Sequence, residues 1–265
     1  MSSNAPKQPT STDADRRVVN LDGADPAAAP RHRGVYLLPN LITTAALFAG
    51  FYAIIAGMNG HYIAAVLAVY AAVALDTADG RVARDTGTES EFGAVYDSLA
   101  DMIAFGAAPA LVAFSFALGD LGRVGWVAAF VYMAAAALRL ARFSVSGSVE
   151  YFAGLASPAA AVILTSLVWV LVELPQLASG TVAALVATTT VVSGLLMIAP
   201  VRYFSPKQIA LRDRVPFIGF VGIVLVFALA FLDPPRVLLV IATGYAISGP
   251  LTMLWKMRSA GNSGA

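Results

Sequence analysis

The chain has 265 residues, 58% of them hydrophobic and 12% charged, and its mean hydropathy is +0.75; this excludes an ordinary soluble domain and points to a polytopic membrane protein. Cysteine is absent, which excludes disulfides, thiolate metal sites and cysteine nucleophiles. The net charge of +1 says little as a sum; its distribution says more.

Residues 1–33 are polar, rich in Ser, Asp, Pro and Ala, and contain no apolar run of the signal-peptide kind. A disordered cytoplasmic tail is expected there. The first span is expected from near Leu38, with Pro39 at the helix start, where its missing N–H is harmless. Asn40 and Thr43 then fall on the first turn, where side chains of their kind commonly cap a helix.

After a turn at Asn59–Gly60, the second span runs from about Tyr62 into an acidic stretch and the third from about Phe92 to Leu118. Further apolar runs lie at Val124–Phe143, Ser157–Val172, Val182–Ala199, Phe217–Leu232 and Val237–Trp255. The fold class is therefore all-α, a polytopic helical membrane protein of about eight transmembrane helices. It divides into the tail at 1–33, a transmembrane domain at 34–258 and a short C-terminal tail at 259–265. With the N-terminus inside, fifteen of the seventeen basic residues fall on the cytoplasmic side, leaving only Arg123 and Arg236 outside.

The stretch Asp76–Asp101 dominates this frame, because it carries four carboxylates in or beside segments built for lipid. Intramembrane acids are expensive to desolvate and imply a compensating cation, a polar cavity, or both. Asp76 and Asp79 (i, i+3) share one helix face, and Asp97 and Asp101 (i, i+4) share another. The short polar connection Asp85–Glu91 lets the two helices run antiparallel, so the four can converge. An all-oxygen set of this charge suits two divalent cations, Mg²⁺ or Mn²⁺, and two-metal phosphoryl chemistry.

The intervening residues fit that chemistry. Gly80, Ala83 and Gly93 keep the groove beside the acids shallow, so a bulky ligand can approach the backbone. Arg84 adds a forked donor suited to a phosphate oxygen. The histidines contribute little: His32 lies in the basic tail and His61 on the outer turn.

Asp76-x2-Asp79-Gly80-x2-Ala83-Arg84-x8-Gly93-x3-Asp97-x3-Asp101 resembles the complete motif of the CDP-alcohol phosphotransferases, with eight fixed positions over 26 residues. These are membrane enzymes that move a substituted phosphoryl group from a CDP-linked donor to an alcohol, releasing CMP. The resemblance implies that the four aspartates bind two divalent cations and that Asp101, the fourth acid, is the general base. It also implies that Asn40 and Thr43 face the nucleotide-diphosphate groove, and it suggests a homodimer.

Within the family, YLLPNLITTAALFAGFYAI, DGRVARDTGT, SEFGAVYDSLADMIAFGAAPAL, LRLARF with YFAGLASPAAA, and RYFSPK resemble the bacterial phosphatidylserine synthases. That implies CDP-diacylglycerol and L-serine as substrates, no nucleic acid, and a place in the bacterial inner membrane with the site facing the cytoplasm. Ala104, Ser144 and Ala156 depart from the pattern, which has Ser, Asn and Pro there; they leave the metal chemistry untouched and bear on the acceptor alcohol. Arg139 and Arg142, at the end of the fourth span, read as headgroup-snorkelling residues on position alone. The resemblance favours recognition of an anionic part of a substrate. Transfer to glycerol 3-phosphate or an inositol phosphate is the alternative within the family, and a cation or proton transporter is the alternative outside it.

Overall fold

The computed structural model describes residues 33–146, 154–201, 203 and 217–262; the N-terminal tail lies outside them except for Arg33, as do most of the RYFSPK segment and the start of YFAGLASPAAA. Every regular element among the described residues is helical: α1 (Arg33–Met58), α2 (Tyr62–Thr86), α3 (Glu91–Asp101), a π turn (Met102–Ala107), α4 (Ala108–Phe116), a 3-10 turn (Leu118–Leu121), α5 (Arg123–Ser146), α6 (Ser157–Val172), α7 (Ser179–Ile198), α8 (Phe217–Leu232) and α9 (Pro234–Asn262). Since α3, the π turn and α4 form one continuous rod, the rods number eight among the described residues. Six are long and apolar enough to cross a membrane, while α6 and α8 have sixteen residues each.

Several helix ends differ from the sequence expectation by a few residues, as at α1, α5, α7 and α9, and two of these differences change a reading. Pro39 lies inside α1, six residues beyond its start. Proline is tolerated there because the carbonyl deprived of its donor lies near the helix end, within reach of water. Asn40 and Thr43 are consequently not on the first turn and face neighbouring helices instead. The C-terminal residues 259–262 continue α9 rather than forming a tail.

Two apolar clusters hold the rods together. One joins α1, α2, α4 and α6 through residues such as Val66, Val69, Phe105, Val112 and Val168. The other joins α5, α6, α7 and α9 through Tyr132, Leu164, Val186, Met197 and Ala246. Polar side chains between the rods find partners, as a low-dielectric setting requires: Thr165 and Thr190 hydroxyls donate to carbonyls four residues back at 2.7 Å, and Tyr70 meets Ser166 at 2.6 Å. Where the chain must reverse between the acidic pairs, Gly87 adopts φ +61°, a left-handed conformation that closes α2. The Ser90 hydroxyl then caps α3 by accepting from the Gly93 N–H at 3.0 Å.

Candidate active site

The reversal at Gly87 carries α3 back along α2, and the acids on their facing sides converge. One carboxylate oxygen from each of Asp76, Asp97 and Asp101 lies within 4.8 Å of the others, and the Asp76 and Asp101 side chains are hydrogen-bonded to one another. Three oxygens this close suit a hard cation better than they suit each other. Asp79 stands outside that triplet but close enough to repel Asp76 and Asp97. Its carboxylate lies 2.7 Å from the Thr43 hydroxyl. The same hydroxyl is 3.0 Å from the Pro39 carbonyl; its single proton serves the shorter, charge-assisted contact.

The other groove residues lie near the turn between α2 and α3 and against α1. The Asn40 side-chain oxygen sits 3.6 Å from where a Cβ on Gly93 would project, and the Ser90 oxygen sits 3.1 Å from it. A side chain at Gly93 would thus intrude between α1 and α3. Arg84 folds back so that its guanidinium lies 3.4 Å from the position of a Cβ on Gly80. Ala83 sits one turn before the α2 cap and lends its carbonyl to the Thr88 N–H at 3.0 Å.

Arg139 and Arg142 part company. Arg139 is buried, donates to the Ser157 hydroxyl at 2.6 Å, and acts electrostatically on Asp76 and Asp101. Arg142 is exposed. A guanidinium held under protein within electrostatic reach of Asp76 and Asp101 is not snorkelling to headgroups, whereas an exposed one at a span end is free to do so.

Three further groups around the site have no cue in the sequence reading. Ser157 anchors Arg139. Tyr245 of α9 lies within electrostatic reach of Arg139 and packs its ring 5.3 Å from that of Tyr203. Tyr96 meets the Thr44 hydroxyl at 2.9 Å, tying α3 to α1. For Ser157, the Ser-Pro pair opening an apolar run marks a helix start, but nothing in one dimension points it at Arg139.

A helical hairpin presenting an Asp triplet, with Gly and Ala beside the acids, lies within a chain that matches a known family over most of its length. The chain belongs to the CDP-alcohol phosphatidyltransferases, whose pattern it matches across residues 36–247. It is 34% identical over 226 residues to a CDP-diacylglycerol–serine O-phosphatidyltransferase of Helicobacter pylori, covering 84% of this chain and 93% of that one. A protein of the same name from Methanocaldococcus jannaschii is 33% identical over 196 residues, 74% of this chain and 87% of its own. An archaetidylserine synthase of Methanothermobacter thermautotrophicus is 36% identical over 132 residues, 49% of this chain and 56% of its own. The protein is therefore a multi-pass membrane enzyme of phospholipid synthesis.

Proposed function

We propose that the protein transfers the phosphatidyl group of CDP-diacylglycerol to the hydroxyl of L-serine, yielding phosphatidylserine and CMP. The observation that carries this reading is the convergence of Asp76, Asp97 and Asp101 beside the buried Arg139. The names of the relatives support the choice of serine.

The donor set is all carboxylate oxygen, which fits Mg²⁺ or Mn²⁺. Asp76, Asp79, Asp97 and Asp101 would hold two such ions, with Thr43 fixing the orientation of Asp79. Bound there, the cations would neutralise the diphosphate and stabilise the leaving CMP. The shallow surface at Gly80, Ala83 and Gly93 admits the diphosphate close to the backbone, with Asn40 and Arg84 as its polar neighbours.

Asp101 takes the proton of the serine hydroxyl as that oxygen forms its bond to the phosphatidyl phosphorus and the phosphorus–oxygen bond to CMP breaks. Arg139 binds the serine carboxylate, its planar fork suiting that group. Direct attack predicts inversion at phosphorus; retention would indicate a covalent intermediate. The transmembrane domain at 34–258 works as a homodimer in the bacterial inner membrane, with the acids at the cytoplasmic face. The basic-residue bias supports that orientation.

Purified protein given CDP-diacylglycerol, divalent cation and a panel of alcohols should yield phosphatidylserine from serine, read by mass spectrometry of the lipid. Product from glycerol 3-phosphate or an inositol phosphate in preference to serine would overturn the acceptor assignment. An absence of CMP release with every alcohol would overturn the transferase reading.

A further inference from the structure

The third rod is not a uniform helix. Immediately after Asp101 its backbone opens into the π turn Met102–Ala107, where the Ala108 N–H closes on the carbonyl of Ile103, five residues back. Pro109, in the first turn of α4, accounts for the opening. It has no N–H to give the carbonyl four residues before it, that of Phe105, and in an unbroken α-helix its ring would collide with that oxygen. The wider turn relieves the collision.

Phe105 is fully buried, so the carbonyl robbed of its helical donor sits where an unmet polar group is costly. Tyr132 of α5 supplies a replacement: its hydroxyl donates to the Phe105 carbonyl at 3.1 Å, and its side chain is itself fully buried. The turn is also wedged from α1, since a Cβ on Gly50 would come within 2.7 Å of the Ala104 Cα.

The site depends on this turn. A π turn carries one residue more than an α turn, so the helix ahead of it is rotated by about 100° relative to an unbroken α-helix. Behind the turn, α4 is fixed in the core through Ala108, Val112 and Ala113, none of which is exposed. Ahead of it, Asp97 and Asp101 ride on α3. Their direction toward Asp76 is thus set between an anchored helix and a rotated one.

We propose that Tyr132 is a positioning residue of the active site: by bonding the Phe105 carbonyl it holds the π turn that aims Asp97 and Asp101 at Asp76, and so tunes the affinity for divalent cation. This rests on the reading of the aspartates as a cation site.

The test is Mn²⁺ binding to the purified full-length protein in detergent, followed by electron paramagnetic resonance, alongside thermal melting and turnover. Tyr132→Phe removes one hydroxyl and keeps the ring; it should weaken Mn²⁺ binding by about tenfold, as loss of a group supporting metal ligands does. Tyr70→Phe, which removes another interhelical, partly buried hydroxyl, should leave Mn²⁺ affinity unchanged. Pro109→Ala restores the missing N–H and lets the rod close into α-helix. It should weaken Mn²⁺ binding without lowering the melting temperature, an outcome a merely structural role would not give. In that background Tyr132→Phe should add nothing, because the carbonyl then has a backbone donor.

Wild-type Mn²⁺ affinity in Tyr132→Phe, or additive effects of the two substitutions, would overturn the role of Tyr132. Should Asp97→Asn bind Mn²⁺ as tightly as wild type, the cation site itself fails and the proposal with it. Weakened binding in Asp97→Asn with normal binding in Tyr132→Phe overturns the positioning role alone.

Discussion

The two ends of the bundle handle charge in opposite ways. At the far end of α6, Glu173 pairs with Arg236 at 2.9 Å, and Arg236 pairs with Asp233 at 2.6 Å. These groups are substantially exposed, and the Glu173 carboxylate also accepts from the Trp169 ring N–H at 2.9 Å. At the near end, three carboxylates crowd within 4.8 Å with Arg139 beside them. In the first arrangement the oxygens of both acids are met by Arg236 or Trp169. The second is electrostatically unfinished, because like charges in a low-dielectric setting persist only when something else completes them. That difference separates a structural clasp from a site, although both are clusters of acids and arginine near helix ends.

The comparison breaks most visibly if the near-end acids are dispensable. Asp76→Ala and Asp97→Ala should each abolish turnover in protein that stays folded in detergent, and retained activity with unchanged Mg²⁺ or Mn²⁺ dependence would remove them from the site. Asp101→Asn should come next. It keeps the shape and one oxygen but cannot take a proton, so the rate should fall by roughly two to four powers of ten, with donor binding better preserved than in Asp97→Ala. Normal turnover at neutral pH would assign the base elsewhere.

The arginines sharpen the contrast within one helix. Arg139→Lys keeps the charge but loses the planar fork, so the apparent KM for serine should rise by about ten- to a hundredfold, as expected when a charge-assisted hydrogen bond is lost. Arg142→Lys should behave as wild type. Equal kinetics for the two variants would return Arg139 to a headgroup-anchoring role.

The smallest effect is expected at the clasp. The hydrogen bond from Arg236 holds the Asp233 carboxyl below the usual carboxylate range. Its contribution to stability is therefore present above the unfolded pKa of about 3.9 and is lost as pH falls through the lowered value. Arg236→Gln should flatten that acid limb in a thermal-melting profile while leaving turnover at neutral pH unchanged. A large loss of activity would mean that the far end communicates with the site.

Much of this was legible in one dimension. The rods follow from runs of apolar residues, and α6 and α8 begin and end at the residues expected. The acidic pairs follow from spacing, since i, i+3 and i, i+4 place side chains together on any helix. Rotation of one rod against another was not legible. Arg139 and Arg142 are three residues apart, yet packing buries one and exposes the other. Thr43 reaches Asp79 across 36 residues, and Ser157 meets Arg139 across 18; neither contact leaves a periodic trace. Pro109 did leave one, as a proline inside an apolar run, but only the structure shows which carbonyl it strips and which hydroxyl answers.

The shortness of α6 has a consequence for how a water-soluble acceptor reaches an enzyme whose other substrate is a lipid. Sixteen residues rise about 24 Å, roughly 6 Å less than a hydrocarbon layer of about 30 Å. With its far end clasped at Glu173, the deficit falls at Ser157, beside Arg139. No residue of α6 is exposed, so its short end faces other helices rather than lipid, and a recess opening there would lead water to the buried guanidinium. In the proposed reaction serine would meet Arg139 at the floor of that recess without entering the oil, while the acyl chains of the donor would remain in the leaflet alongside.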